Sequence, residues 1–143
     1  MKTRNIPLVV IIILVLLNVI LAFYATPVTD YGDAGSYLEL SKKFLGENIE
    51  ANMVHRSPLF SMLLALIIKT VGIPLAFKVM VFIQYGLVFA TSLLIYSLFN
   101  RIFKKPLLPF IISILFNFSV STIYFANILL TEIITIFLLF ISL

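Results

Sequence analysis

The sequence has no cysteine and little charge of either sign. None of its 143 residues is cysteine, and only 11% are Asp, Glu, Lys or Arg, whereas 62% are hydrophobic. The absence of cysteine excludes a disulfide framework, a thiolate metal site and a cysteine nucleophile. The scarcity of charge excludes an ordinary soluble domain, of which about a quarter is charged, and it excludes a nucleic-acid-binding protein. With a mean hydropathy of +1.20, the composition predicts a membrane protein.

The first apolar run predicts a membrane anchor. No charge interrupts residues 6–25, and about 20 apolar residues are needed to cross the hydrocarbon core. The run is longer than the apolar part of a signal peptide, about 7–15 residues, and no clear A-x-A cleavage site follows it, so we expect it to be retained. Lys2 and Arg4 precede it, and the positive-inside rule therefore places the N-terminus in the cytoplasm of a multi-pass protein of the cell membrane.

Two later runs are also long enough to cross. They predict spans over residues 76–100 and 107–126, joined by a cytoplasmic turn at 101–106 that holds the densest basic cluster. A further run begins at residue 133 and stops at Leu143, so we expect 133–143 to start another span of a longer protein. The chain then forms the N-terminal part of one membrane domain.

The segment between the first two spans, residues 26–74, is predicted to lie outside and to carry surface helices. Periodic apolar residues indicate a helix from Asp33 to Leu45 that stops at Gly46. The run Ser57–Ile68 would reach only about 18 Å as a helix, which is too short to cross. We expect it to lie on the outer surface and to end at Gly72-Ile73-Pro74. The alternative is a short tilted span, which would put the basic cluster outside.

The acidic residues are the first candidates for chemistry. Five of the six acids lie in the outer segment: Asp30, Asp33, Glu39, Glu47 and Glu50. Asp33 at a helix start is either an N-cap or a partly desolvated general base for a hydroxyl, and Asp30 could share the capping role. Glu132, between two apolar runs, is either a cap at headgroup level or a functional carboxylate.

The basic candidates lie just before Pro58. Arg56 presents a planar set of donors that suits a phosphate, although it could also serve as an interfacial anchor. The single histidine, His55, could accept a proton or bind a metal, but it has no spaced partner. If a divalent cation is bound, carboxylate oxygens of Asp33 and Glu132 would suit Mg or Mn.

Three neutral polar residues fall inside predicted spans: Asn18, Gln84 and Asn117. Polar side chains in such positions usually form hydrogen bonds between helices. We therefore predict structural roles for them.

The order of these features resembles the N-terminal third of the GT-C superfamily of integral-membrane glycosyltransferases, in the branch of the protein O-mannosyltransferases and aminoarabinose transferases. The resemblance rests on five features in sequence order: Asp33-Ala34 with Tyr37, Arg56-Ser57-Pro58-Leu59, Gln84, the basic turn at residues 101–105, and Thr131-Glu132. It covers nearly the whole chain. Two departures are Ser57, where the first proline of a pair is usual, and Phe118, near a usual proline position.

The resemblance implies a fold class and an activity. The fold would be all-α, a polytopic transmembrane helix bundle with juxtamembrane amphipathic helices in the first outer loop. The reaction would move a sugar from a polyprenyl-phosphate donor to a hydroxyl of an acceptor glycan, lipid or protein. Asp33 and Glu132 would be catalytic, Arg56 would bind the donor phosphate, and His55, Tyr37 and Asp30 would be accessory. A non-enzymatic membrane partner subunit and a transporter fragment are the alternatives.

Overall fold

The fold is all-helical, as predicted. A computed structural model describes residues 6–27, 33–48, 57–103, 106–129 and 131–142. Those residues form seven helices and no strand. The helices are α1 (Ile6–Tyr24), α2 (Ala34–Phe44), α3 (Pro58–Val71), α4 (Ile73–Phe103), α5 (Leu107–Phe118), α6 (Val120–Asn127) and α7 (Glu132–Ile141).

One helix, α4, is long and apolar enough to cross a membrane by itself, and α5 with α6 makes a second crossing if the bent pair counts as one span. The 31 residues of α4 rise about 45 Å, against about 30 Å for a hydrocarbon core. Three other apolar segments are shorter, with between 10 and 17 residues each. They are Val9–Tyr24 of α1, the whole of α3 and the whole of α7. By length and composition, the described residues therefore include at least one helix that is able to cross a membrane.

Helix α4 is the axis of the fold. It packs against α1, α3, α5, α6 and α7, whereas α2 packs on α3. The helix begins directly after Gly72, whose φ of 78° is a left-handed conformation that glycine adopts at little cost. The predicted break thus falls at Gly72, while Pro74 is tolerated inside the first turn of α4.

Two clusters of buried apolar side chains surround α4. The Tyr37 cluster joins α2, α3, the start of α4 and the α6–α7 turn, and consists of Ala34, Tyr37, Phe60, Leu64, Ile68, Ala76, Met80, Ile128 and Leu129. The Tyr85 cluster joins α1, α4, α6 and α7, and consists of Ala22, Val81, Tyr85, Val88, Ala126 and Ile133. The two clusters follow one another along α4.

The predicted outer-segment helix is confirmed as α2, which ends as the sequence indicates. The N–H of Gly46 donates to the carbonyl of Lys43, and the N–H of Glu47 donates to the carbonyl of Lys42. With Gly46 at a φ of 91°, these two bonds form a Schellman motif. Gly46 is therefore the stop of α2.

Helix α3 differs in character from the surface helix expected over Ser57–Ile68. Pro58 occupies its first turn, and one face is buried against α2 and α4. The opposite face is apolar as well, with Leu59, Met62 and Leu66 exposed by 76%, 53% and 61%. A helix that meets water on its free face would carry polar residues there, so α3 is apolar on both sides.

The segment expected to form a single span over residues 107–126 consists of two helices that meet at 48°. The break lies at Ser119, whose backbone is extended at a ψ of 135°. The Ser119 hydroxyl accepts a hydrogen bond from the N–H of Thr122 at 3.1 Å and donates one to the Thr122 hydroxyl at 2.7 Å. The side chain thereby caps α6 and ends α5, because serine satisfies the free N–H groups of a new helix start.

A chain of buried hydrogen bonds ties α1, α5 and α4 together. Asn18 Nδ2 donates to Asn117 Oδ1 at 2.8 Å, and Asn117 Nδ2 donates to Ser92 Oγ. Ser113 Oγ adds a bond to the carbonyl of Ser92 at 3.1 Å. The interhelical roles predicted for Asn18 and Asn117 are confirmed.

We expect Asn117→Leu to weaken this packing by about 1–2 kcal/mol, because it removes two interhelical bonds and leaves the Asn18 amide with only the Leu14 carbonyl of its own helix as an acceptor. The free energy of unfolding can be measured by denaturant titration of the purified chain in mild detergent. Asn100→Leu is the matched control, since Asn100 is half-buried and its side chain forms no hydrogen bond within the described residues. Equal losses in both variants would contradict a structural role for the chain of amides.

Candidate functional site

Asp33 stands immediately before α2, but its side chain does not cap the helix. The residue occupies the N-cap position with helical backbone angles, φ −82° and ψ −10°, and its carboxylate accepts no capping hydrogen bond. Its carbonyl oxygen instead accepts the Tyr37 N–H at 3.1 Å. The capping alternative, which requires the side chain to satisfy a free N–H of the first turn, therefore does not account for the carboxylate.

Tyr37, an accessory candidate, is a packing residue in the described structure. Its side chain is buried, and its ring meets the ring of Phe60 edge to face with 4.9 Å between centroids. This geometry is favourable for aromatic pairs. The contact fastens α2 to α3 one turn after Asp33, so Tyr37 fixes the helix start that carries the carboxylate.

Glu132 is the first residue of α7 and is partly buried. Its Oε2 atom has almost no accessible surface and forms no hydrogen bond to any of the residues that the structure describes. A carboxylate in the first turn of a helix is stabilised by the helix dipole. One oxygen of the carboxylate is thus buried at the start of α7.

The turn that precedes Glu132 is held by two polar side chains of α4. Gln84 Nε2 donates to the carbonyl of Ile128 at 2.9 Å, and the Tyr85 hydroxyl donates to Asn127 Oδ1 at 3.2 Å. The bond from Gln84 confirms its predicted interhelical role. The Tyr85 bond was not predicted, and the only sequence signal for it is that Asn127 ends an apolar run.

The segments that carry the two carboxylates meet in the Tyr37 cluster. Ala34 and Tyr37 follow Asp33 in α2, while Ile128 and Leu129 precede Glu132, and these four residues belong to one buried cluster. About a hundred positions separate the two segments in sequence. Asp33 and Glu132 therefore lie next to segments that pack in one buried cluster.

The remaining candidates cannot be placed in the same way. Asp30, His55 and Arg56 lie outside the described residues. Among the residues that are described, no three His, Cys, Asp or Glu side chains form a group that could hold a metal ion. Binding of Mg or Mn by Asp33 and Glu132 stays a prediction that rests on two carboxylates.

Gln84→Met should loosen the turn before Glu132, because Met keeps the shape of the side chain but cannot donate to the Ile128 carbonyl. We expect hydrogen exchange of the backbone amides around residues 127–132 to rise about fivefold, which corresponds to a lost bond of about 1 kcal/mol. Exchange can be followed by mass spectrometry in detergent. Thr91→Val on the same helix is the control, since the Thr91 hydroxyl bonds only within α4, and an equal rise there would contradict the assignment.

The chain matches no protein family, no curated protein and no solved structure.

Proposed function

We propose that this chain acts in an integral-membrane glycosyltransferase that moves a sugar from a polyprenyl-phosphate donor to an acceptor hydroxyl at the outer membrane face. The proposal rests mainly on the Tyr37 cluster, which joins the start of α2 to the turn before α7. Two carboxylates at one end of a membrane-spanning helix suit a reaction in which a lipid carries its phosphate to the interface and a base takes the acceptor proton.

The membrane placement that we propose is multi-pass, with the N-terminus in the cytoplasm. Ile133 packs beside Tyr85, and Tyr85 lies 16 residues before Arg101, which corresponds to about 24 Å along α4. If Arg101 lies at the cytoplasmic interface, Glu132 is therefore close to the opposite interface of a core about 30 Å thick. The exposed apolar side chains along α1 suit a lipid-facing first span.

Within this scheme each candidate has a role. Asp33 accepts the proton of the attacking hydroxyl or orients the acceptor, and Glu132 is the second acid of the site. Arg56 binds the donor phosphate, because a guanidinium group forms two parallel hydrogen bonds to phosphate oxygens. His55 and Asp30 are accessory. A divalent cation, Mg or Mn, would bridge the two carboxylates if the reaction uses one.

Asp33→Asn should reduce sugar transfer by about 10²–10⁴-fold, the usual contribution of a general base, while membrane insertion is unchanged. The assay is transfer of labelled sugar, in membranes that contain the intact enzyme, from a panel of polyprenyl-phosphate sugars. Glu39→Gln is the matched control, because Glu39 is an exposed acid on the same helix. Transfer at the wild-type rate in Asp33→Asn would remove Asp33 from the mechanism.

The proposed topology predicts opposite labelling of two engineered cysteines, which is practical because the chain has none of its own. Asn48→Cys, an exposed position after α2, should react with an impermeant maleimide in intact cells. Phe103→Cys, at the end of α4 and 42% exposed, should react only after the cells are permeabilised. Labelling of Phe103→Cys in intact cells would overturn the assignment of the basic turn to the cytoplasm.

A further inference from the structure

A cleft between α4 and α7 lies at the end of α4 remote from the carboxylates. It has a volume of about 160 Å³ and is lined by Leu94, Ser97, Leu98, Arg101, Phe140 and Ile141. The four residues from α4 follow the spacing i, i+3, i+4, i+7 and share one helix face. Because Ile133 packs near Tyr85 and Ile141 lines the cleft with the later residues of α4, α7 runs in the same direction as α4.

The two polar residues of the cleft have unused hydrogen-bonding capacity. Ser97 and Arg101 are exposed, and neither side chain has a hydrogen bond or an ion pair within the described part of the chain. By contrast, the hydroxyls of Thr91 and Ser92, earlier in α4, each donate to a carbonyl one turn before them. Ser97 and Arg101 are four positions apart, so a hydroxyl and a guanidinium group lie on the same side of the helix.

The cleft is polar at one end and apolar at the other. Arg101 lies in the last turn of α4, whereas Leu94 lies seven residues earlier, about 10 Å deeper along the helix. This gradient runs in the direction of a membrane lipid, whose charged headgroup stays at the interface and whose chain extends toward the bilayer centre.

We propose that this cleft binds an anionic phospholipid of the leaflet in which Arg101 lies. The lipid phosphate accepts hydrogen bonds from the Arg101 guanidinium group and the Ser97 hydroxyl, and one acyl chain lies between α4 and α7. Basic pockets between membrane helices recognise anionic headgroups in this way.

Arg101 has a second role that needs no ligand. A basic residue in the last turn of a helix is stabilised by the helix dipole. That role makes no use of the cleft, of Ser97 or of an acyl chain. Only the lipid-binding role therefore predicts that the replacement of Arg101 weakens the binding of added lipid.

The test is titration of the purified full chain with dioleoyl-phosphatidylglycerol or dioleoyl-phosphatidylcholine in neutral detergent, with bound lipid counted by native mass spectrometry. We expect phosphatidylglycerol to bind more tightly than phosphatidylcholine. Arg101→Gln should weaken phosphatidylglycerol binding about fivefold, which is typical of one basic residue near an anionic headgroup, and Ser97→Ala should weaken it less. Glycerol 3-phosphate, which has the headgroup chemistry but no chain, should not compete.

Lys78→Gln is the matched control, because Lys78 is an exposed cation on the other end of the same helix and its replacement changes the net charge equally. Equal weakening in Lys78→Gln and Arg101→Gln would overturn the site in favour of general charge attraction. So would unchanged binding in Arg101→Gln, no preference for the anionic lipid, or full competition by glycerol 3-phosphate. Circular dichroism of each variant confirms that the helices are intact. None of these outcomes depends on the sugar-transfer activity.

Discussion

The amide–amide hydrogen bond between Asn18 and Asn117 is the contact on which the helix arrangement depends. Apolar helices slide easily against one another in a lipid environment, where burying apolar surface gives little driving force. The bond joins α1 to α5, and its continuation through Ser92 joins both to α4. Each polar group in this chain is buried, so it would lose a partner if any of the three helices moved along its axis.

The second constraint is the buried turn between α6 and α7. Ile128 and Leu129 are fully buried in the Tyr37 cluster, while Gln84 holds the backbone of the same turn from the α4 side. The turn thus connects the α2–α3 layer to the helix bundle around α4. Glu132 follows this turn. The turn is held by apolar packing and by the hydrogen bond from Gln84 to the Ile128 carbonyl, whereas the Thr131 side chain makes no capping bond to α7.

The sequence predicted the helices whose ends have a strong local cause. Gly46 and Gly72 stop α2 and α3 because their positive φ values are costly for other residues, and both stops were visible as isolated glycines. The bend at Ser119 was not predicted, because serine interrupts a helix only when its hydroxyl bonds to the following turn, here to Thr122. The uncharged run over residues 107–126 therefore contains no local pattern that predicts the bend.

The candidate site was predictable to a similar degree. Asp33 and Glu132 stand out as acids beside apolar runs, and the order of motifs pairs them. The proximity of the segments that carry them depends on residues far apart in sequence, because Ile128 and Leu129 share one buried cluster with Ala34 and Tyr37. The bond from Tyr85 to Asn127 likewise joins residues that no local pattern connects.

By itself the sequence determined an all-helical chain rich in apolar residues and the stops of α2 and α3, and it singled out the candidate site residues. These properties follow from composition, periodicity and backbone preference, which act over a few residues. The tertiary structure decided which helix is central, where the long apolar run bends, and which polar groups are buried together. Those outcomes depend on side chains from distant segments that satisfy one another, because a buried amide or carbonyl needs a partner wherever the chain supplies it.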